Sequence, residues 1–340
     1  MKNKEYLINL ISGKSVLFIT TREISYIRCH QEIQLISQFS REFQILGTYK
    51  NIYLTNIVYL YLHLFLLIFK KKPDVIFVSF LAQPLLPWLI FRFFSPKSII
   101  ITDFFISLYE TLVQERCKIR ERTILSKVLF YFDKITCTSS DLIIFDTKSD
   151  LLYFTSLFNV PKKKTLVLYL EANKNIYFPQ EVIKSDELFN NYVVLYFGSI
   201  LPLQGVDIIL NAAKLLANVN EIKFILIGPI KNKIQSPNII YIPWLPEDEL
   251  ATQIAMADLC LAGHFNNTID KAKRTIAGKT FIYQQMGKKI ILGDNPANKE
   301  LFPEDNRKFH YVIMGDSLAL ATKIHGLFLS RNRELNNEKN

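Results

Sequence analysis

Metal-binding and disulfide signatures are missing from this sequence. Its four cysteines, Cys29, Cys117, Cys137 and Cys260, form no CxxC pair and have no histidine at metal-ligand spacing. Neither a zinc motif nor a disulfide framework is therefore expected, and a reducing compartment is implied. The opening stretch, MKNKEYLINLISGKS, lacks a long apolar run followed by a small-residue cleavage site, so a cytoplasmic rather than exported protein is expected. No internal repeat or low-complexity tract appears. The two best-known phosphate fingerprints, GxxxxGK(S/T) and GxGxxG, are absent as well.

What is present suits a folded, basic protein. The chain has 340 residues, which is long for one core and comfortable for two globular halves. The hydrophobic fraction of 49%, with 13% aromatic, excludes disorder. A formal net charge of +10 favours an anionic partner: nucleic acid, a phosphorylated small molecule or an acidic lipid surface. Nucleic acid is disfavoured, because the aromatics sit in apolar runs rather than interleaved with cations on one surface.

One segment bears on membranes. From Ile52 to Phe69 the sequence IYLTNIVYLYLHLFLLIF is almost wholly apolar and is followed by Lys70, Lys71 and Lys72. A spanning helix needs about 20 apolar residues, and Asn56 and His63 interrupt this one. The expectation is a helix packed on a sheet, or one whose aromatic and basic edge rests on the inner membrane leaflet. Trp88, Arg92 and Lys97 would extend that edge.

Short apolar runs alternate with helix-length stretches along the whole chain. One series covers residues 14–21, 43–49, 74–80, 98–104, 134–147 and 164–170; a second covers 191–199, 222–229, 239–245, 258–264 and 288–294. Such runs predict parallel sheets covered on both faces, hence two Rossmann-like domains. The polar stretch 171–190 separates them, giving domains 1–175 and 176–340. Ligands in such folds bind outside the carboxyl ends of the strands, so an interdomain cleft is the expected site. The strand ends there carry Asp103, Gly198 with Ser199, Gly228, and Gly263 with His264.

Two stretches point to phosphate. YFGSILPLQGVDIILNAAKLL (196–216) runs from a strand through a glycine turn to Gly205 and a helix, which would offer free backbone N–H groups at a helix N-terminus. A plain strand-to-helix turn reads the same way. KRTIAGKTFIYQQMGKK (273–289) concentrates four lysines and an arginine before a strand. It reads either as a cation cluster for an anion or as a solvated basic loop.

Taken in chain order, YFGSILPLQGVDIILNAAKLL, FILIGP, YIPWLPEDELATQIAMADLCLAG and the basic stretch running into IILGDNPANKELF resemble the nucleotide-sugar-binding domain of family 4 glycosyltransferases. In the amino half, PDVIFVSFLAQPLLP and TDFFISLYETLV resemble the acceptor side of a bacterial subgroup, and the likeness runs over residues 14–320. It implies the GT-B fold and a retaining transfer from a nucleotide-diphosphate sugar to an acceptor hydroxyl. A lipid-linked or glycan acceptor in cell-surface polysaccharide or glycolipid synthesis would follow. No DxD triplet stands at the strand ends, so no metal cofactor is implied.

The departures matter. The family's Gly-Arg-x4-Lys-Gly is replaced by GSILPLQG, a PLHG/PLQG-type loop, so Ser199 and Gln204 stand where its cations would be. Lys273, Arg274 and Lys279 would compensate, with Arg274 and Lys279 opposing the charge that develops on the diphosphate. Gly198, Ser199, Gln204, Gly205 and Gly228 would line the phosphates. Asp103 would approach the acceptor, or else cap the next helix. Ile282 occupies the position of the family's ribose-binding glutamate and has no hydrogen-bonding group. Glu300 would face the cleft, or else serve the dipole at a helix start. Loss of both Glu-x7-Glu carboxylates keeps open an alternative: a catalytically impaired scaffold or partner protein.

Overall fold

The computed structural model describes residues 3–48, 53–67, 72–79, 81, 83–85, 95–185, 188–305 and 307–338. The chain divides into two compact units, Met1–Glu171 and Ala172–Asn340.

The first unit holds a six-stranded parallel sheet in the order β2-β1-β3-β4-β5-β6. Its strands are β1 (Ser15–Glu23), β2 (Glu42–Thr48), β3 (Val75–Val78), β4 (Ile99–Asp103), β5 (Leu142–Phe145) and β6 (Thr165–Val167). The residues of β3 and β5 are all buried, which is why these runs carry no polar alternation. One core has Phe18, Phe77 and Leu166 of the sheet with Leu35 and Ile36 of the helix Ile27–Phe39. Another gathers Phe104, Phe145, Phe154 and Phe158. The Phe104 ring meets Phe154 edge-on at 5.0 Å, an arrangement that adds to the area term.

The second unit repeats the plan with the order β12-β11-β10-β7-β8-β9. Its strands are β7 (Tyr192–Phe197), β8 (Ile222–Ile227), β9 (Ile239–Ile242), β10 (Leu259–Leu261), β11 (Lys289–Gly293) and β12 (Phe309–Val312). Val194 and Tyr196 of β7 pack with Ile209 and Leu210 of the helix Val206–Leu215 and with Leu320 and Ile324 of the helix Ser317–Glu338. Phe197 packs edge-on against Tyr283 of the helix Gly278–Gln285 at 5.5 Å. In this order β7 lies between β8 and β10, so the strand order reverses there. The carboxyl ends of β7 and β10 therefore flank the crevice in which such sheets bind ligands.

The strand β12 is not anticipated by the apolar pattern: KFHYV is short and contains Lys308 and His310, yet all four strand residues are buried. The run 239–245 stops pairing at Ile242, and Trp244 is 60% exposed. The long apolar segment of the first unit forms the helix Tyr53–Leu67, and none of the described helices is long and apolar enough to cross a membrane. Val58, Leu62 and Phe65 on that helix are exposed. Lys70, Lys71, Trp88 and Arg92 lie outside the described residues. All four cysteines are free thiols, and only Cys117 is exposed.

Candidate functional site: a buried lysine at the switch point of the second sheet

The chain leaves β7 through Gly198, whose φ of 140° lies in the region that favours glycine. Its Cα approaches Lys279: a Cβ there would lie 3.0 Å from Lys279 Cε and 3.2 Å from Nζ. Gly228, at the end of the neighbouring β8, packs against the Gly198 carbonyl. Beyond Ser199, the segment Pro202–Gln204 makes one 3-10 turn, and left-handed Gly205 joins it to the helix Val206–Leu215. The Gln204 carbonyl accepts from Phe265 N at 3.2 Å, which ties this turn to the loop after β10.

Lys279 enters from the first turn of the helix Gly278–Gln285 and is only 7% exposed. Its Nζ donates to Gln204 Oε1 at 2.5 Å and lies 4.5 Å from the centroid of the Tyr196 ring. On the other side stands Gly263, where a Cβ would come within 3.1 Å of Nζ. Among the described residues no carboxylate pairs with this ammonium: its neighbours are an amide oxygen, a π face and glycine backbone. Burial therefore pushes its pKa down, to about 7. An ammonium has three donors, and among the described residues one is used here. Chemically, such an arrangement can take an anion, because a phosphate oxygen would accept the remaining hydrogens and restore the charge balance.

Gly198, Gln204, Gly205, Gly228 and Lys279 thus come together at the end of β7 and β8. Ser199 is exposed beside them, and its carbonyl accepts from the Tyr196 hydroxyl at 3.4 Å. Lys273 and Arg274 end the short helix Asp270–Arg274, where Lys273 pairs with Asp270 at 2.9 Å. Glu300 does not start a helix: it follows Pro296–Lys299 as the C-cap, and Asn295 holds the N-cap through Asn298 N. The expected dipole role therefore fails, since a carboxylate is favourable only at the opposite end. Ile282 is 7% exposed, an apolar side chain in the core at i+3 from Lys279.

Asp103 belongs to the first unit and is 1% exposed. Its carboxylate faces Arg28, which donates to it from Nε at 2.9 Å and Nη2 at 3.1 Å. His264 is marked in the sequence by a Gly-His pair at a strand end. It is nearly buried, left-handed at φ 56°, and its Nδ1 lies 3.1 Å from the Thr275 carbonyl. No group of three or more His, Cys, Asp and Glu side chains that could hold a metal ion occurs among the described residues.

No family model matches the sequence, and no curated protein matches it. Solved structures do. Sucrose-phosphate synthase from Thermosynechococcus elongatus matches with a TM-score of 0.66 at 9% identity, over 93% of this chain and 90% of that one. HepE from Anabaena, solved in complex with UDP, matches with a TM-score of 0.63 at 14% identity, over 93% and 90%. A glycosyltransferase from Rickettsia africae matches with a TM-score of 0.56 at 12% identity, over 93% and 88%. Two six-stranded parallel sheets with flanking helices and this likeness over nearly the whole chain establish the GT-B glycosyltransferase fold.

Proposed function

We propose that the protein is a glycosyltransferase that takes a sugar from a nucleotide-diphosphate donor and passes it to an acceptor hydroxyl with retention at the anomeric carbon. The observation that carries this reading is the buried, carboxylate-free ammonium of Lys279 at the end of β7. Structural neighbours solved with UDP and with UDP-glucose support the donor class. During transfer the bond from the anomeric carbon to the diphosphate oxygen breaks, a bond to the acceptor oxygen forms on the same face of the sugar, and the acceptor's proton ends on the departed diphosphate. Negative charge grows on the leaving diphosphate. A preorganised, buried cation stabilises the charge added on bond cleavage beyond what it stabilises on the diphosphate of the bound donor, so it lowers the barrier.

Gln204 fixes the lysine through its amide oxygen, and Gly198 and Gly263 leave room for phosphate to approach. Arg274 and Lys273 add positive charge at the rim, and the chain's own cations, rather than a metal, neutralise the diphosphate in this proposal. The acceptor is a lipid-linked or glycan hydroxyl in surface-polysaccharide or glycolipid synthesis. The exposed apolar face of Val58, Leu62 and Phe65, in a segment followed by three lysines, supports contact with an anionic inner leaflet. Salt-sensitive sedimentation with anionic but not neutral vesicles is the expected result, and equal recovery with both would remove the membrane contact.

The test of the donor is a thermal-shift screen against UDP, GDP, ADP, CMP and their sugar conjugates. A ligand that binds only the folded state raises the midpoint. One nucleoside diphosphate is expected to do so, together with its sugar conjugate. One observation favours a second reading, a scaffold that no longer turns over: Ile282 offers nothing to a ribose where a carboxylate is implied. Tight binding with neither transfer nor donor hydrolysis would favour that reading.

A further inference from the structure

His264 follows Gly263, which borders Lys279 Nζ, in the loop after β10, the strand next to β7 at the switch point. Its backbone is left-handed, uncommon for a residue other than glycine, and its side chain is held in place. The Thr275 carbonyl lies 3.1 Å from Nδ1 and can only accept, so Nδ1 must carry the proton. Thr275 Oγ1, 3.4 Å away, gives its own proton to the Lys271 carbonyl, so it too can only accept from Nδ1. Two independent contacts thus assign one tautomer.

The other ring nitrogen is then a bare acceptor. Burial and the nearby charges of Lys279 and Lys271 press the imidazole pKa down to about 3, so Nε2 stays unprotonated near neutrality. Nε2 has no protein partner among the described residues. It is a fixed, unused acceptor in a loop whose previous residue, Gly263, borders Lys279 Nζ.

Resting on the donor assignment above, we infer that His264 determines donor specificity: its Nε2 accepts a hydrogen bond from a hydroxyl flanking the Lys279-bound diphosphate. The hydroxyl belongs to the ribose or to the transferred sugar, the two groups that adjoin a diphosphate in a nucleotide sugar. Lysine donates to phosphate while histidine accepts from the neighbouring hydroxyl, so the pair reads a diphosphate together with its carbohydrate. This supplies a polar contact that Ile282 cannot make.

His264→Asn tests the assignment. Asparagine tolerates the left-handed region, and its amide N–H can keep the Thr275 contact while Nε2 is lost. Binding is measured with UDP-glucose and GDP-mannose, with UDP and GDP, and with analogues lacking one hydroxyl on the ribose or the sugar. The unaltered protein should lose about tenfold or more in affinity for one deoxy analogue, as expected when a buried acceptor loses its donor. The variant should bind that analogue and its parent alike. A ribose deoxy analogue in that role, with the bare diphosphate also weakened, assigns the ribose; a sugar analogue, with the bare diphosphate unaffected, assigns the transferred sugar. Equal binding of every ligand by both proteins overturns the role of His264 and leaves the donor assignment standing. Failure of the unaltered protein to bind any of these nucleotides overturns both.

Discussion

Among the described residues each unit buries one strong cation, Arg28 and Lys279, and the two are treated in opposite ways. Arg28 of the first unit is fully buried and surrounded by compensation: Asp103 grips it at two atoms, Glu32 stands 3.5 Å from Nε, and the Leu168 carbonyl accepts from Nη1 at 2.6 Å. Its charge is reinforced, and its pKa is pushed up from an already high value because Asp103 and Glu32 outweigh burial. Lys279 of the second unit has an amide and a ring instead, and its pKa falls. A buried charge satisfied by its own chain is structure, whereas one left unsatisfied is held in reserve for a ligand. Asp103 is therefore occupied in holding Arg28, and Lys279 is the cation that the proposed function assigns to an anion.

Removing each cation breaks the comparison if it is false. Arg28→Ala would leave Asp103 buried without its partner, beside a Glu32 that burial and Asp103 already push towards protonation. A loss of about 3–5 kcal/mol is expected in denaturant unfolding of the first unit. Lys279→Met should not destabilise the second unit, because it removes a charge without a counter-charge. Nucleoside-diphosphate affinity should fall about 10- to 100-fold, the loss of a charge-assisted hydrogen bond. Comparable unfolding costs for the two variants would refute the contrast.

The pH dependence sharpens the same point. Lys279 binds an anion as an ammonium, and its pKa in the free protein is about 7. Above that value binding must take up a proton, so affinity for a nucleotide sugar should decline by up to about tenfold per pH unit until the bound-state pKa is reached. The groups facing it do not interfere: His264 is already neutral, and burial pushes the Tyr196 and Tyr283 phenols up. Stability of the free second unit has the opposite slope. Its folded pKa is depressed from 10.5, so the unfolded chain holds the proton more tightly and stability rises between pH 7 and 10.5. Calorimetric titrations at pH 6.5 and 8.5 should differ in affinity in the unaltered protein and agree in Lys279→Met.

The sheets were legible because buried parallel strands leave continuous apolar runs, and β12 escaped because Lys308 and His310 disguise it. The strand-glycine-helix order of 196–216 was legible too, and it forms β7, one 3-10 turn and the helix Val206–Leu215. What the sequence concealed was pairing at a distance. Gln204 meets Lys279 across 75 positions, and Arg28 meets Asp103 across the same separation. Nothing local in Asp103 distinguishes a strand-end carboxylate facing a substrate from one gripped by a distant arginine. Gln204 likewise looked like a lost cation until Lys279 was found to be delivered to its amide by another helix.

The smallest effect separates the basic cluster into unequal members. Lys273 is 45% exposed on its side chain and already pairs with Asp270, which is 81% exposed. A pair in such surroundings is worth about 0–1 kcal/mol and is screened by salt. Lys273→Ala should therefore change nucleotide affinity by less than about threefold, with the difference vanishing in high salt. Arg274, half-buried at the end of the same helix, should fall between Lys273 and Lys279. A loss in Lys273→Ala as large as in Lys279→Met would mean that the cluster acts as a diffuse field, and that burial of Lys279 carries no special weight.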